Sequence, residues 1–437
     1  MMKLIILSTS ILAIIICIYG ILSQLNDERP SIYWINFKPE SEDVLLELGA
    51  KYQERTGRNV SIVSPGAGGY GELFKQELLN NSSLPTIFVY GDQESLDKYN
   101  DYFYNLTNTK IELELNTNDF KLYTNDNKLA AIGYCYETFG IITNIELLEK
   151  SGHTLDEIKD FASLKSVVEN IHSKADKLGF DAFTSSGLNK SSWRFSGHLA
   201  NVPLFYESRD DKWKETPSKI KGTYLKNYKN LWDLYILNFN FTFINNSPYK
   251  PDTLLFPYNP EEEFGKKQAV FYQNGNWEYD TLVNNYGLNP EKLTMIPLYS
   301  GVEGEENAGL SSGTENYWAV NAKASMKDIE ATLEFMYWMV TDSDATKMLA
   351  TTFGSIPYKK AAVPENVFLA KAQEYTNKGK YTMTWTFNYT PNQKYWRQDV
   401  VSALFEYSKE STEEKWKKVE TAFIEGWERQ YKNIQNK

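Results

Sequence analysis

The chain beyond residue 30 switches repeatedly between two hydrophobic periods. Three short apolar runs bounded by turn-forming residues are typical of strands: 31–36, 59–63 and 86–90. Between them, residues 40–56 and 70–80 carry apolar side chains at helical spacing, and Gly57 ends the first of these helices. Strands that alternate with helices in this way predict a parallel sheet with helices on both faces.

The same two periods continue to the end of the chain. Residues 129–143 form an extended pattern, residues 145–150 a helical one, and two more predicted strands cover 267–273 and 293–296. Helical patterns occupy most of residues 163–240. Four further helical patterns dominate the C-terminal part: 327–340, 344–353, 364–378 and 413–431. We expect the aromatic residues of the last helix to pack against the rest of the protein.

The segment 268–282 places an indole at the end of a predicted strand. Its alternating apolar run ends in Asn274-Gly275, which predicts a tight turn, and Trp277 follows before a new helical pattern. Open α/β sheets bind ligands at the carboxyl ends of their strands. A flat, apolar ring at such a position suits the face of a sugar better than it suits an ion. The segment therefore indicates carbohydrate binding.

Composition and charge narrow the class of protein. The length of 437 residues suggests roughly two to three domains, or one large two-lobed unit. With 42% hydrophobic and 24% charged residues, the chain can bury a full core and is not a disordered chain. The net charge of −11 argues against a nucleic-acid partner, which would require a basic surface. Aromatic residues make up 15% of the chain, enough for both core packing and ligand stacking.

An apolar segment near the N-terminus predicts export. Residues 4–22 are long enough to cross the hydrocarbon core of a bilayer, and Lys3 before them favours an inside N-terminus with an exported body. An Ala-x-Ala cleavage site is missing, which argues against simple secretion. Cys17 is a candidate for lipid attachment, but Ile16 departs from the small residue that bacterial lipoprotein signals place there. We therefore favour an uncleaved anchor over a lipoprotein, with the body on the outer face of a bacterial cell membrane.

The cysteines support a bacterial surface protein. Cys17 and Cys135 are the two cysteines of the chain, and the first lies in the apolar segment, so the folded body cannot form a disulfide framework. Export without disulfides is more typical of a bacterial surface protein than of a secreted animal protein.

Familiar catalytic motifs do not match the chain. The three histidines, His153, His172 and His198, are isolated, and neither a HExxH nor a Gly-x-Ser-x-Gly motif is present. Residues 66–71 match Gly-x-Gly-x-x-Gly, but they follow the second predicted strand and not the first, as a dinucleotide site would require. The alternative is a flexible loop that lets backbone amides and Tyr70 approach a ligand. A pair of carboxylates, as in a glycosidase, remains possible.

Four segments together resemble the extracellular solute-binding proteins of carbohydrate ABC importers, the group that includes the maltodextrin-binding proteins. The first is SIYWIN at 31–36, with the helix that ends in Tyr-x-x-x-Thr-Gly at 52–57. The second, IGYCYETFGIITN at 132–144, is similar to the family pattern PYxxxxxGLxYN, although Cys135-Tyr136 replaces its usual Pro-Tyr-like start. The third, 264–277, is similar to FxxGKAAMxxxGxW, and the fourth, 331–357, to AxxFLxWxxxxxxQxxxxxxGxxP. The resemblance covers residues 31–437.

The resemblance implies a two-lobed periplasmic-binding-protein-like α/β fold of type II. Each lobe is expected to contain a mostly parallel sheet flanked by helices, with an N-terminal membrane segment and a ligand clamped between the lobes by hinge closure. The implied divisions are: 1–25 for the signal or anchor, 30–142 plus 297–340 for the first lobe, and 143–296 plus 341–437 for the second.

Matching positions imply a set of ligand-binding residues. Trp277 and Trp396 are expected to be stacking platforms, and Trp193 supplies another ring from the second lobe. Glu137 matches a position near the hinge where maltodextrin binders place a carboxylate on sugar hydroxyls. The remaining expected ligand-binding residues follow first-lobe strands or neighbour Trp396: Asn36, Tyr70, Asp92 and Arg397.

The resemblance also implies a function. The protein would be a non-enzymatic, monomeric receptor without cofactor or metal, and would deliver a carbohydrate to ABC permease subunits energised by a cytoplasmic ATPase. An extracellular glycosidase or polysaccharide lyase with the same aromatic cleft is the main alternative. A receptor for a non-sugar solute also remains open, because a cationic ligand would require an aromatic box with several carboxylates. A sensor partner in place of an importer component is a further possibility.

Overall fold

A computed structural model of the protein describes residues 31–65, 70–79, 84–90, 96, 99–116, 118, 120–124, 126–184, 192–213, 215–236, 259–314, 316–354, 356–386 and 389–435. The strands are β1 (Ser31–Ile35), β2 (Asn59–Val63), β3 (Ile87–Tyr90), β4 (Lys121–Tyr123), β5 (Leu129–Gly133), β6 (Glu137–Asn144), β7 (Asp181–Phe183), β8 (Ala269–Gly275), β9 (Leu293–Ile296), β10 (Ala308–Gly313), β11 (Tyr317–Val320) and β12 (Tyr381–Thr384). The helices are α1 (Glu42–Thr56), α2 (Tyr70–Leu79), α3 (Lys110–Leu113), α4 (Ile145–Lys150), α5 (Phe161–His172), α6 (Ala175–Leu178), α7 (Asn201–Asp211), α8 (Leu225–Ile236), α9 (Pro260–Gly265), α10 (Met326–Thr341), α11 (Ser343–Phe353), α12 (Val367–Asn377), α13 (Gln393–Lys409) and α14 (Glu413–Gln435). The strands predicted at 59–63 and 293–296 and the helix predicted at 145–150 are confirmed with the same bounds.

The first sheet begins as the sequence pattern predicts. Its strand order is β2-β1-β3-β11-β5-β4, and β1 pairs in parallel with both β2 and β3. Helices α1 and α2 supply the crossover connections that parallel neighbours require. The other half of the sheet is antiparallel, because β11 lies between β3 and β5 in the opposite direction and β4 pairs antiparallel with β5.

The second sheet is mixed. Its order is β12-β10-β6-β8-β7, with β9 also paired to β6. The pairs β10–β12 and β7–β8 are parallel, whereas β6 is antiparallel to β8, β9 and β10. The prediction that each sheet is mostly parallel is therefore wrong. Strand β6 runs opposite to all three of its neighbours, β8, β9 and β10, and so accounts for every antiparallel pair described in this sheet.

Each sheet packs against its own helices. Helices α1, α10 and α11 pack on the first sheet, where the buried rings of Trp34 and Trp318 meet edge to face with centroids 5.6 Å apart. Helices α5, α7, α8, α13 and α14 pack on the second sheet around Trp232 and Trp427, both fully buried. The result is a two-sheet α/β architecture consistent with a type II periplasmic-binding-protein-like fold.

The sheets and cores divide the chain differently from the predicted lobe boundaries. Strand β10 belongs to the second sheet, although the predicted first lobe includes 297–340. Helix α11 places Ala345, Leu349 and Phe353 in the core of the first sheet, although the predicted second lobe includes 341–437. Helical periodicity identifies the apolar face of a helix but not which of two cores that face meets.

The chain crosses between the two sheets at three places in the described part of the molecule. Strand β5 leads to β6, β10 leads to β11, and α11 leads to α12, which packs on the second sheet through Phe368. Hydrogen bonds tie the first two crossings together, because the amide of Tyr134 donates to the carbonyl of Asn316 at 3.2 Å. The crossings therefore define one hinge region between the sheets.

The predicted membrane segment lies outside the residues that the structure describes, as does Cys17. Within the described ranges, no helix combines the length and the apolar character needed to cross a bilayer.

Candidate functional site

A short loop after β1 begins the site on the side of the first sheet. The side-chain amide of Asn36 donates to the carbonyl oxygen of Lys38 at 2.5 Å and to Oγ of Ser64 at 2.9 Å, and its oxygen accepts from the Lys38 amide at 3.2 Å. Asn36 is fully buried. The side chain of Asn36, predicted to contact the ligand, is thus hydrogen-bonded within the protein in this structure. These hydrogen bonds fix the backbone that carries Lys38.

The ammonium group of Lys38 lies where the two sheets meet. Its Nζ forms an ion pair with Glu137, lies 3.6 Å from Oε1 of Glu40 and is 5.9 Å from the ring centroid of Trp277. The side chains of Lys38 and Glu137 are only 10% and 6% exposed. Burial by itself would lower the pKa of Lys38, but the charges of Glu137 and Glu40 outweigh it, so the pKa is raised and the lysine stays charged.

Glu137 stands at the hinge, where the chain crosses between the sheets. Besides Lys38, it accepts a hydrogen bond from the side-chain amide of Asn316 at 3.2 Å, and Asn316 precedes β11. The Glu137 carboxylate, at the start of β6, therefore links the loop after β1 to the crossing from β10 to β11. This placement agrees with the hinge position expected for Glu137, and its contact with a ligand stays a prediction.

Trp277 forms the opposite side of the site. Strand β8 continues through Gly275, because Gly275 pairs with Phe139 of β6, and a 3-10 turn (Asn276–Glu278) follows. The tight turn predicted at Asn274-Gly275 is therefore wrong: the ladder extends the strand by two residues. A Cβ atom at position 275 would lie 2.2 Å from the indole, so only glycine lets the Trp277 ring lie across the strand end.

Trp277 belongs to an aromatic wall of three indoles and one imidazole. Trp193 lies 5.9 Å from Trp277 and His198 lies 5.6 Å from it, between ring centroids. His198 stacks on Phe139 at 4.2 Å with nearly parallel planes, and Trp385 meets it edge-on at 4.8 Å. The three indoles are each partly buried. We call Trp193, His198, Trp277 and Trp385 the aromatic wall.

Two arginines support this wall. The guanidinium of Arg194 lies 4.7 Å from the ring centroid of Trp193 and donates to the Tyr272 hydroxyl at 2.8 Å. Arg397 packs against Gly197, where a Cβ atom would be 3.1 Å from its Nη2. Burial, followed by the charges of Arg397 and Arg194, holds the pKa of His198 well below its ordinary value. His198 is therefore a neutral aromatic member of the wall.

The structure brings Trp193, Trp277, Glu137 and Arg397 into this region and places Trp396 elsewhere. The Trp396 side chain is 1% exposed, its Nε1 donates to the carbonyl oxygen of Phe423 at 2.9 Å, and its ring packs against Phe423 and Trp427. No face of the indole is open to a ligand. Consecutive residues on a helix point in different directions, so Arg397 approaches the wall while Trp396 packs between α13 and α14.

Trp396→Phe should therefore weaken folding. The substitution keeps an aromatic ring but leaves the Phe423 carbonyl without its donor, which we expect to lower the free energy of unfolding by about 1–2 kcal/mol. Urea unfolding monitored by circular dichroism measures the loss, with Tyr395→Phe at an exposed neighbouring position as the control. Equal midpoints for the two variants would contradict the assignment of Trp396 to the core.

Tyr70 and Asp92 are the remaining ligand-binding residues predicted for the first lobe. The hydroxyl of Tyr70 accepts from the Val89 amide at 2.8 Å and donates to the Val89 carbonyl at 2.9 Å, so it is engaged by the backbone of β3. Its ring meets that of Phe37 at 5.4 Å, and Phe37 is 46% exposed on the loop beside Lys38. Asp92 lies outside the described residues, as do the glycines of the predicted loop at 66–69.

Sequence reasoning missed Lys38, Arg194, His198, Trp385 and Glu278, the residue that follows Trp277 in its 3-10 turn. The Oε2 atom of Glu278 is inaccessible and has no hydrogen-bond partner among the described residues. Burial raises the pKa of Glu278 to about 7; Glu261 and Glu40 act in the same direction, whereas Arg194 and the Asn274 amide oppose it. Glu278 is therefore partly protonated near neutral pH.

Stability should consequently depend on pH through Glu278. Because the folded-state pKa is raised from 4.5 to about 7, the stability of the protonated form is fully present below pH 4.5 and is lost as the pH rises to about 7. Allowing for partial exposure, we expect a loss of about 2 kcal/mol. Urea unfolding at pH 5 and pH 8 should show this extra loss in the wild type relative to Glu278→Gln. Parallel changes in both proteins would refute it.

Among the described residues, no group of three or more His, Cys, Asp or Glu side chains could hold a metal ion. The described site consists of aromatic rings, an internal ion pair, carboxylates and arginines.

Comparisons with known proteins agree with this architecture. A family model described as bacterial extracellular solute-binding protein matches residues 47–380, more than half of the chain. No curated protein matches the sequence. Three similar solved structures are the solute-binding protein RafE in complex with raffinose (16% identity, 93% of this chain and 99% of that chain, TM-score 0.66), an ABC substrate-binding protein from Listeria monocytogenes in complex with cycloalternan (12%, 94% and 99%, 0.63), and a sugar transporter protein from Bacillus licheniformis in complex with stachyose (16%, 92% and 100%, 0.61). At these identities the structural likeness establishes the fold.

Proposed function

The chain belongs to the bacterial extracellular solute-binding protein family, and we propose that it is the substrate-binding component of an ABC importer that captures a sugar or oligosaccharide. The observation that carries this proposal is the aromatic wall of the second sheet facing the Lys38–Glu137 pair at the hinge. Pyranose faces expose C–H groups that pack on indole rings, and their hydroxyls bond to carboxylates and amides. Both kinds of group meet at this site.

The ligands of structurally similar proteins support the same class of substrate. Three of them were solved in complex with raffinose, cycloalternan and stachyose, all oligosaccharides. A binding role also fits the family, which is one of bacterial extracellular solute-binding proteins. We therefore place oligosaccharides first among the candidate ligands.

We further propose that the lobes follow the two sheets. The first lobe would contain β1–β5, β11 and helices α10 and α11, and the second would contain β6–β10, β12 and helices α12–α14. Closure about the hinge region would clamp the ligand between the loop that carries Lys38 and the aromatic wall. In the cell, the closed form would dock on the permease subunits, with the body attached to the outer face of the membrane through residues 4–22 or through a lipid on Cys17.

A thermal-shift screen of the purified full-length protein against mono- and oligosaccharides tests the proposal. Raffinose, stachyose, maltotriose and xylotriose form a suitable panel. A ligand at 100 times its dissociation constant adds about 2.7 kcal/mol to the free energy of unfolding, which is a readily measured shift. Isothermal titration calorimetry then gives Kd for each saccharide that shifts the transition.

Chromatography of the same mixtures separates a receptor from a glycosidase or lyase. We expect the saccharide to be recovered intact after prolonged incubation. The appearance of shorter products would overturn the receptor role, and the absence of a shift with every saccharide of the panel would overturn the assignment to sugars.

A further inference from the structure

The groups around Lys38 are those that proteins use to bind an alkylammonium ion. A cation is held by the face of an indole together with carboxylates, and the attraction is strongest where water is excluded. The Lys38 ammonium has the Trp277 ring at 5.9 Å, an ion pair with Glu137, and Glu40 at 3.6 Å. These contacts come from the first-lobe loop, the hinge and the second sheet. The protein thus places one of its own cations at a cation-binding position.

The protein fixes the backbone of this internal cation. Asn36 bonds to both the amide and the carbonyl of Lys38, and the Lys38 carbonyl also accepts from Oγ of Ser41 at 2.6 Å. A tethered group competes with free ligands at an effective concentration on the order of millimolar or more. An external amine would therefore have to displace an ammonium that is always present.

The surroundings also disfavour a second cation. The Arg194 guanidinium lies over the neighbouring indole of Trp193, and the Arg397 guanidinium packs at Gly197, the residue before His198 of the wall. With Lys38 in place, the carboxylate of Glu137 is already neutralised and hydrogen-bonded to Asn316. A neutral saccharide meets no such repulsion.

We propose that Lys38 determines the charge class of the ligand: its ammonium occupies the position between Trp277 and Glu137 at which the site would otherwise hold a cationic solute, so the site accepts neutral saccharides and rejects amines. This inference rests on the proposed function and deepens it. The chemical class excluded is that of primary alkylamines, including diamines. Lys38 is thus a specificity-determining residue and not only a structural one.

Lys38→Ala tests the proposal, with n-propylammonium chloride as the probe. Propylammonium restores about the part of the lysine side chain that the substitution removes, and n-propanol is the neutral molecule of the same size. In the full-length protein, propylammonium should raise the melting temperature of Lys38→Ala above the value in equal propanol and sodium chloride. Calorimetry should show an affinity at least about 10-fold higher for the variant than for the wild type. Glu137→Gln in the same chain should abolish this gain.

Lys121→Ala is the matched control, because Lys121 forms a similarly buried pair with Glu112 (side chains 12% and 13% exposed) away from the aromatic wall. We expect no preference for propylammonium in that variant. A Lys38→Ala variant that unfolds in buffer is assayed by refolding in propylammonium or propanol, and the same preference is expected. Equal behaviour in the two solutes, or an equal gain in Lys121→Ala, would overturn the proposal. Failure of the sugar proposal would appear separately, as a wild-type protein that binds no saccharide.

Discussion

Trp277→Ala should weaken saccharide binding on the order of 30-fold while leaving the protein folded. The ring is part of the aromatic wall, in contact with Trp193, His198 and Phe139, and its centroid lies 5.9 Å from Nζ of Lys38. Loss of a central aromatic anchor typically costs about 2 kcal/mol of binding free energy or more, which corresponds to roughly 30-fold in Kd. Isothermal titration calorimetry with the saccharide that gives the largest thermal shift measures the change.

Trp338→Ala provides the matched control for this experiment. Trp338 is also a partly buried indole, but it packs on Tyr52 and Phe335 against the first sheet, remote from the wall. Its removal should lower stability and leave Kd unchanged. A folded Trp277→Ala variant with wild-type affinity would exclude Trp277 from the site, whatever the control shows.

Glu137→Ala should cost about 3–5 kcal/mol of unfolding free energy. The substitution leaves the buried ammonium of Lys38 without its closest anion and removes the acceptor of the Asn316 amide. Adding Lys38→Met to the same chain removes the uncompensated charge. The double variant should therefore be more stable than the sum of the single effects predicts, by at least about 2 kcal/mol. Denaturant unfolding of the four proteins gives this coupling energy.

Glu112→Ala is the control that separates the general cost of breaking a buried ion pair from the specific role of Glu137 at the hinge. Its partner Lys121 is similarly buried within the first lobe, so stability should fall while saccharide affinity stays unchanged. Glu137→Ala should reduce both. Strictly additive effects of the Lys38 and Glu137 substitutions would show that the pair does not stabilise the hinge.

Local sequence patterns suffice to predict strands whose partners in the sheet are also close to them in the sequence. The parallel arrangement of β1, β2 and β3 follows from apolar runs separated by amphipathic helices. Trp277 is a similar case, because its position after a strand is a short-range property. The same signal marks Trp385, which directly follows β12, and sequence reasoning could have identified it.

Properties that depend on distant partners could not be predicted from local patterns. Lys38 is one of 46 basic residues, and its role comes from Glu137, 99 positions away, and from Trp277 on the other sheet. The antiparallel half of the first sheet depends on β11, which returns to it only after the chain has built most of the second sheet. The family resemblance predicts a helix near the site that carries Trp396 and Arg397, but it does not fix the rotation of that helix about its axis. The prediction is therefore wrong for Trp396, which packs in the core.

The position of β11 has a consequence for the order in which the polypeptide acquires its shape. This strand (Tyr317–Val320) lies between β3 and β5, yet it begins 227 residues after the end of β3 and 184 residues after the end of β5. The N-terminal sheet thus stays incomplete until most of the polypeptide has been synthesised, and contacts so far apart in sequence form slowly. Until then, β3 and β5 each present an unpaired edge on the side that β11 later occupies.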